Sequence, residues 1–415
     1  MVFVWYFSGL ARFMRAAFSG ARCVAVLALA AAPLTPTGAS ALDLDPDLRL
    51  ELGYDDNVDQ TEHGTGEFVW LIAPGMGVAR RSGLTTFQAS ARRSMRFYSS
   101  RSTSFSTAND AASFRAAYAP STQTSANVDF KFRESRDTFE LDRASVLFPS
   151  SYRSGLGTAN LSLTRLEASG QVEAWDYAGA DLSDATTRRF AVTLLPVRTH
   201  TTAGLISYHL TELDFNGRRG LSSNVAQLGF RRRHTPAVAS QFEFGAAIVD
   251  YQDGSPKKTR PAGAARITFY SRGPGQPVVA EAILQRDATT TMTAMLRTRL
   301  PIGVATANWE TELEAEGGFY THPLTTRRVS FALVDTVGAR ATISMEGSYA
   351  WTLPFHATGL RADTYRSAIT LSVPVRSRVT AQTGYKFVRQ LDPNRTVPVN
   401  YRRGRVFVAL SAGFE

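Results

Sequence analysis

Past Cys23 the chain contains no cysteine, which excludes disulfides, thiolate metal sites and cysteine nucleophiles from everything after it and suits an oxidising compartment. After the N-terminal region no apolar run approaches the roughly 20 residues that a membrane-spanning helix needs, so a helical membrane protein is excluded. The six histidines (His63, His200, His209, His234, His322 and His356) form no HExxH or similarly spaced metal motif. A Walker-type glycine loop, a nucleophile elbow and a dinucleotide fingerprint are missing as well, so no cofactor, no bound metal and no catalytic residue is expected. His200 and His209 flank one expected strand and are the remaining candidates for a Ser-His-acid hydrolase, against the simpler assignment as turn or lumen histidines. The cluster Asp55-Asp56-Asn57, with Asp59 and Glu62, lacks the twelve-residue calcium-loop pattern and reads as a solvated surface loop.

The chain has 415 residues, of which 44% are hydrophobic and 20% charged, with a mean hydropathy of -0.14. Residues 1–41 carry Arg12, Arg15 and Arg22 but no acid. They continue into the apolar run CVAVLALAAAPL and end on Ala39-Ser40-Ala41, the order of a cleavable export signal with cleavage after Ala41. Met14 followed by Arg15 offers a second start for a leader of ordinary length. The formal net charge is +10, and removing the three leader arginines leaves 10 - 3 = +7. The arginines of the mature chain are scattered along its whole length without a basic cluster, which together with export excludes nucleic acid as a partner.

From Leu48 onward the pattern has period two. Ala126, Val128, Phe130 and Phe132 alternate with Asn127, Asp129, Lys131 and Arg133, and the same sorting recurs at 159–164, 265–270, 341–346 and 378–386. Half of each strand is apolar and half hydrophilic. Either a soluble sandwich or a membrane barrel with lipid outside and water inside produces this. Runs of about 9 to 14 residues exceed the usual soluble strand and suffice for a tilted membrane crossing. Short turns with Pro or Gly, at Pro120, Pro196, Pro236, Gly273 to Pro277, Pro301 and Pro374, alternate with longer polar loops at 55–66, 99–109, 137–155, 214–223, 353–363 and 392–403. The expected fold is all-β: a single transmembrane antiparallel up-and-down barrel occupying residues 42–415, with about 16 to 20 strands, short periplasmic turns and longer extracellular loops. It would begin at Leu48 to Tyr54, leaving no stretch for a plug domain, and finish on the apolar column Val406, Val408, Leu410, Ala412 and Phe414. Aromatics near strand ends, among them Tyr54, Trp70, Phe97, Tyr98, Tyr177, Phe215, Tyr251, Phe319, Tyr320, Trp351 and Tyr365, fit an interfacial girdle.

In WETELEAEGGF, Glu310, Glu312, Glu314 and Glu316 fall two apart. In a helix they would repel at i,i+4, whereas in a strand they share one face. A lumen face answers why they are lined up, because other strands then supply cations. Arg297 and Arg299 on the preceding strand are the expected neighbours, and Arg340, Arg366, Arg378 and Lys386 follow. Asp129, Lys131, Arg133, Arg266 and Glu346 complete the expected lumen lining. Arg93 does not fit, since it falls in the apolar phase of its run and requires either a bulge or a place near an interface.

The stretch LELGYDDNVDQ, with the leader, the hairpin train and the terminal aromatic strand, resembles the β-barrel porin 2 family of Gram-negative outer-membrane barrels; Glu415 after the terminal aromatic departs from that pattern. The resemblance implies outer-membrane lipid and lipopolysaccharide as surroundings, and a polysaccharide with its export machinery as partners. It supplies no catalytic residues. The expected function is a passive outer-membrane channel for a polar solute such as an exopolysaccharide. A general small-solute porin, with loop 137–155 folded into the lumen, and a barrel enzyme acting on lipid or lipopolysaccharide are the alternatives.

Overall fold

In the computed structural model, residues 42–414 are described apart from 59–62, 100–106, 122–123, 136–151, 178–183, 216–217, 252–255, 271–277, 287–291, 301–302, 315–323, 338–339, 355–361 and 392–399. The expected leader and Glu316 lie outside the described residues. The first ten strands are β1 (Leu42–Asp55), β2 (Glu67–Ser82), β3 (Thr85–Tyr98), β4 (Thr107–Ser121), β5 (Thr124–Ser135), β6 (Tyr152–Leu163), β7 (Leu166–Tyr177), β8 (Ala185–Leu194), β9 (Thr202–Phe215) and β10 (Arg218–Thr235). The second ten are β11 (Val238–Tyr251), β12 (Lys258–Tyr270), β13 (Val278–Arg286), β14 (Met292–Leu300), β15 (Gly303–Glu314), β16 (Leu324–Val337), β17 (Ala341–Pro354), β18 (Ala362–Arg376), β19 (Val379–Leu391) and β20 (Tyr401–Gly413). Each pairs antiparallel with its chain neighbours, and β20 returns to pair with β1 from Asp47↔Gly413 to Asp55↔Arg405. The sheet is therefore a closed 20-stranded up-and-down barrel. Among the described residues no helix is long and apolar enough to cross a membrane.

Connections alternate in length around the barrel. One rim carries the tight links 83–84, 164–165, 236–237 and 377–378, and the other the longer segments 56–66, 99–106, 136–151, 315–323 and 392–400. In the link between β2 and β3, Gly83 takes φ 54°, a left-handed conformation that other residues adopt only under strain. The long loop expected at 214–223 is absent: β9 runs to Phe215 and β10 resumes at Arg218. The intervening Asn216-Gly217 is the dipeptide that favours a two-residue hairpin, and it outweighs the polar composition around it.

Strand parity separates two chemistries. Leu52 (41% exposed), Trp70 (55%), Phe244 (67%) and Val408 (60%) stand on the outer phase, with Ile267, Phe331, Ile369 and Tyr385 on the same side of their ladders. Polar and charged residues occupy the inner phase of the middle wall. A soluble barrel would invert this order, because exposed apolar area of this extent is stable only against hydrocarbon. The terminal column from Val406 to Phe414 faces outward as expected.

The seam between β1 and β20 is held by charge as well as by ladder bonds. Asp55 (0% exposed) accepts from Arg403 (2%) at 3.0 and 2.6 Å. Its Oδ1 also accepts the backbone N–H of Asn57. Asp56 accepts the Gly404 N–H at 2.6 Å, and the Asn57 side chain donates to the Arg402 carbonyl at 2.8 Å. Four residues back along β1, Glu51 bridges Arg405 at 2.5 Å and Arg49 at 2.8 Å. Asp55 and Asn57 are thus a buried clasp rather than part of a solvated loop, while Asp56 is exposed and still bonds β20, and Asp59 and Glu62 lie outside the described residues. Breaking one partner of such a pair leaves an uncompensated buried charge. Arg403→Gln is expected to cost about 3–5 kcal/mol, read as a lowered denaturant midpoint for loss of the heat-modifiable folded band on unheated gels. Asp55→Leu with Arg403→Met together should recover much of that loss.

Candidate functional site

The inner wall is where polar side chains converge. β3 to β7 enclose a recess of about 550 Å³ lined by Arg92, Ser113, Lys131, Arg133, Glu173 and Trp175, among others. Arg92 reaches Asp47 across the wall at 2.7 Å, and Ser90 meets Ser113 at 2.7 Å. Above it, Tyr152, Trp175 and Tyr177 pack on the inner face, with Tyr152 and Trp175 centroids 5.5 Å apart and Trp175 stacked on Tyr177. A second recess of about 440 Å³, on β6 to β10, is lined by Thr158, Asn160, Gln171, Arg189, His209 and Gln227. Both recesses draw on β6 and β7, so they lie side by side on the wall. Below them run contacts from Arg231 to Gln241 (2.9 Å) and Glu167 (3.6 Å), from Gln241 to Glu243 (2.5 Å), and from Ser207 to Glu243 (2.9 Å).

The inner phase is not hydrophilic throughout. Toward the long-loop rim Val69, Leu213, Leu221, Val249 and Val388 are buried at inward positions, and Phe215 and Tyr251 belong to one buried apolar cluster. Tyr177, Phe215 and Tyr251, expected in an outward aromatic girdle, therefore face inward. They lie at strand ends as the sequence suggested, but on the opposite parity. Tyr54, Trp70, Phe97 and Tyr365 do face outward, and Tyr349 stacks between Trp351 and Tyr365 with centroids 5.2 and 4.5 Å away.

The expected lining residues divide into several groups. Asp129, Lys131 and Arg133 lie on the inner phase of β5, where Asp129 meets Arg115 at 3.5 Å. Arg266 faces Gln241, Glu346 lies between Ala332 and Ala368, and Arg366 between Ser348 and Val388. Lys386 sits 5.7 Å from the Phe407 ring centroid and Arg49 6.0 Å, so two cations from the flanking strands share one aromatic ring at the seam. Glu310, Glu312 and Glu314 fall on one phase of β15, opposite Arg328, Thr326 and Leu324 of β16. The neighbour of Glu310 is thus Arg328, not the expected Arg297 or Arg299. Register sets Arg297 between Glu281 and Thr306, and Arg299 opposite Val304. Arg340 and Arg378 are in short turns instead of the wall, because polar residues beside Gly or Ser mark a link as readily as an inward strand position.

Arg93 needs no bulge. The β2–β3 ladder skips Arg93 and Ser94, opposite Pro74 and Ala73, but keeps its register from Ile72↔Met95 to Gly75↔Arg92, and Arg93 meets Asp110 on the outer phase at 3.8 Å. Asp110 lies opposite Glu134, which bonds Arg153 at 3.2 Å. A charged arc thus crosses β3 to β6 near the long-loop ends of those strands, at interfacial depth. His209 lies mid-strand on the inner wall rather than flanking β9, and His200 is exposed in the link before it. His234 contacts Ser240 at 2.7 Å, a pair that sequence spacing did not single out. Among the described residues no carboxylate is recorded against it, and no group of three or more His, Cys, Asp or Glu is placed to hold a metal ion.

No protein-family profile matches the chain and no curated protein matches it. Among solved structures it is similar to the siderophore receptor PirA from Pseudomonas aeruginosa, at 8% identity and a TM-score of 0.42 over 91% of this chain and 81% of that one. It is similar to OccK2 (OpdF) of the same organism at 9% identity and a TM-score of 0.41, over 90% and 98% of the two chains. The outer membrane protein opdK, also from Pseudomonas aeruginosa, gives 10% identity and a TM-score of 0.37 over 90% and 99%.

Moving a charge across the wall tests the assignment of faces. Val408→Arg, on the outer phase, is expected to cost about 2–4 kcal/mol at midplane depth. Thr158→Arg, on the inner wall, should leave the folded yield in lipid vesicles unchanged.

Proposed function

We propose that the protein is an outer-membrane channel that passes a polar solute through its lumen. One observation carries this: a closed sheet whose outer phase is apolar and exposed, and whose middle inner wall holds Lys131, Arg133, Glu173, Gln171, Arg189 and Gln227 around two open recesses. Such a wall offers many hydrogen-bonding and charged contacts without one enclosing pocket. Conduction favours this, because a solute must be held weakly enough to leave. The finer proposal, that the solute is a polysaccharide chain, comes from the family resemblance and has its own test: a deletion strain should lose surface polysaccharide while small-solute permeability falls little. A general porin would show the reverse.

Purified protein in planar bilayers is expected to give stepwise conductance, and its absence would remove the channel proposal. Lys131→Glu with Arg133→Glu reverses two charges on the recess wall. The reversal potential under a salt gradient should shift toward cation preference while the folded band is retained. An unchanged reversal potential would show that ions do not pass this wall.

A further inference from the structure

The two rims differ in charge. At the long-loop rim, cations and acids are interleaved: Arg93 with Asp110, Arg153 with Glu134, Arg188 with Glu212 and Asp214, Lys257 with Asp250, and Arg403 with Asp55. At the short-turn rim arginine dominates. The β2–β3 link follows Arg80 and Arg81, the β6–β7 link holds Arg165, and the β8–β9 link holds Arg198. The β10–β11 link follows Arg231, Arg232 and Arg233, Arg340 ends the β16–β17 link, and Arg376 and Arg378 border or fill the β18–β19 link. All of these except the partly buried Arg80 are exposed.

The acids of the same rim are few and mostly engaged. Asp47 holds Arg92, Glu167 faces Arg231, and Asp335 accepts the Thr336 N–H. Asp43 and Asp45 remain on β1, opposite Ala79 and Gly77. The result, among the described residues, is positive charge at six of the links around one mouth, with Asp43 and Asp45 at the first strand. Arginine forks recognise phosphate and carboxylate oxygens two at a time, and a mouth lined by one sign of charge between low-dielectric walls concentrates counter-ions.

We propose that the short-turn rim is a docking collar for a polyanion, a molecule bearing several phosphates or carboxylates, approaching from the periplasmic side. The sidedness rests on the outer-membrane assignment, in which short turns face the periplasm. The probe is inositol hexakisphosphate, added to one side of a neutral phosphatidylcholine bilayer holding the protein. Because no cysteine follows Cys23, a Ser377→Cys variant labelled with a membrane-impermeant maleimide fixes which side carries the β18–β19 turn. Current is expected to fall only when the probe is on that side, and the effect should weaken as salt rises. Combining Arg81→Gln, Arg165→Gln, Arg233→Gln, Arg340→Gln and Arg376→Gln should raise the half-blocking concentration about tenfold or more. Arg153→Gln with Arg188→Gln, at the other rim, should not change it.

Equal block from both sides, or block unchanged in the five-fold variant, overturns the collar. If no current flows at all, the channel assignment fails by itself. Calorimetric titration of the same probe into the detergent-purified protein and its five-fold variant then decides the collar, binding lost in the variant supporting it and equal binding overturning it. Adding phosphatidylglycerol to the bilayer separates the two sources of the same chemistry. Competition with the probe would identify membrane headgroups as a second occupant of the collar, and undiminished block would leave a soluble polyanion as its ligand.

Discussion

A sheet placed in hydrocarbon can have no edge. Every unpaired N–H or C=O on a free strand would be stranded without water, at several kcal/mol each, so the pairing of β20 with β1 is the condition for all the rest. The chain meets it with nine ladder positions, from Asp47↔Gly413 to Asp55↔Arg405. It then adds side chains that only the closed ring brings together, since Asp55 and Arg403 are 348 residues apart in sequence. Such a pair does little for net stability compared with an apolar substitute. What it supplies is register: a slip of one residue would put Asp55 and Glu51 on the outer phase, against lipid, and exchange every wall residue with its neighbour.

Once the ring is closed in that register, parity decides what each side chain meets. Gly53 and Gly384 leave room beneath Phe407, where an added Cβ at Gly384 would lie 2.9 Å from the ring. Phe407 in turn carries Arg49 and Lys386 about its ring. Closure, the cation pair on the ring and the Glu51 bridges thus form one inward-facing unit. The same parity puts Leu50, Leu52, Val406 and Val408 on the outside of this seam, so the strongest polar contacts are shielded by the apolar belt that lies one residue away.

Period two made the strand content legible, and Pro, Gly and polar stretches made most of the alternation of link lengths legible, because these depend on each segment's own composition. The phase of long, regular runs was legible too, as in the run from Ala126 to Arg133. Register between strands was not, since nothing local to β14 or β15 says that Glu310 meets Arg328 instead of Arg297. The Asp55 cluster was misread for a related reason. Three consecutive polar residues before a loop look solvated, and only the return of the chain at Arg403 buries Asp55 and Asn57. Aromatics at strand ends were found but their direction was not, since Tyr177 and Tyr365 have similar neighbours and opposite parity.

The two ends of the barrel follow from different constraints. Near the long-loop rim the inner phase carries Leu213, Leu221 and Val249, all buried, so apolar packing and the Asp55 clasp hold the wall there. Near the short-turn rim most links are short, and the apolar packing there is the smaller cluster of Leu195, Ala203 and Leu205 at the β8–β9 link. Charge can accumulate at that mouth without the desolvation that a buried wall would impose. Arginine at one end and buried aliphatics at the other are therefore two results of one asymmetry in link length.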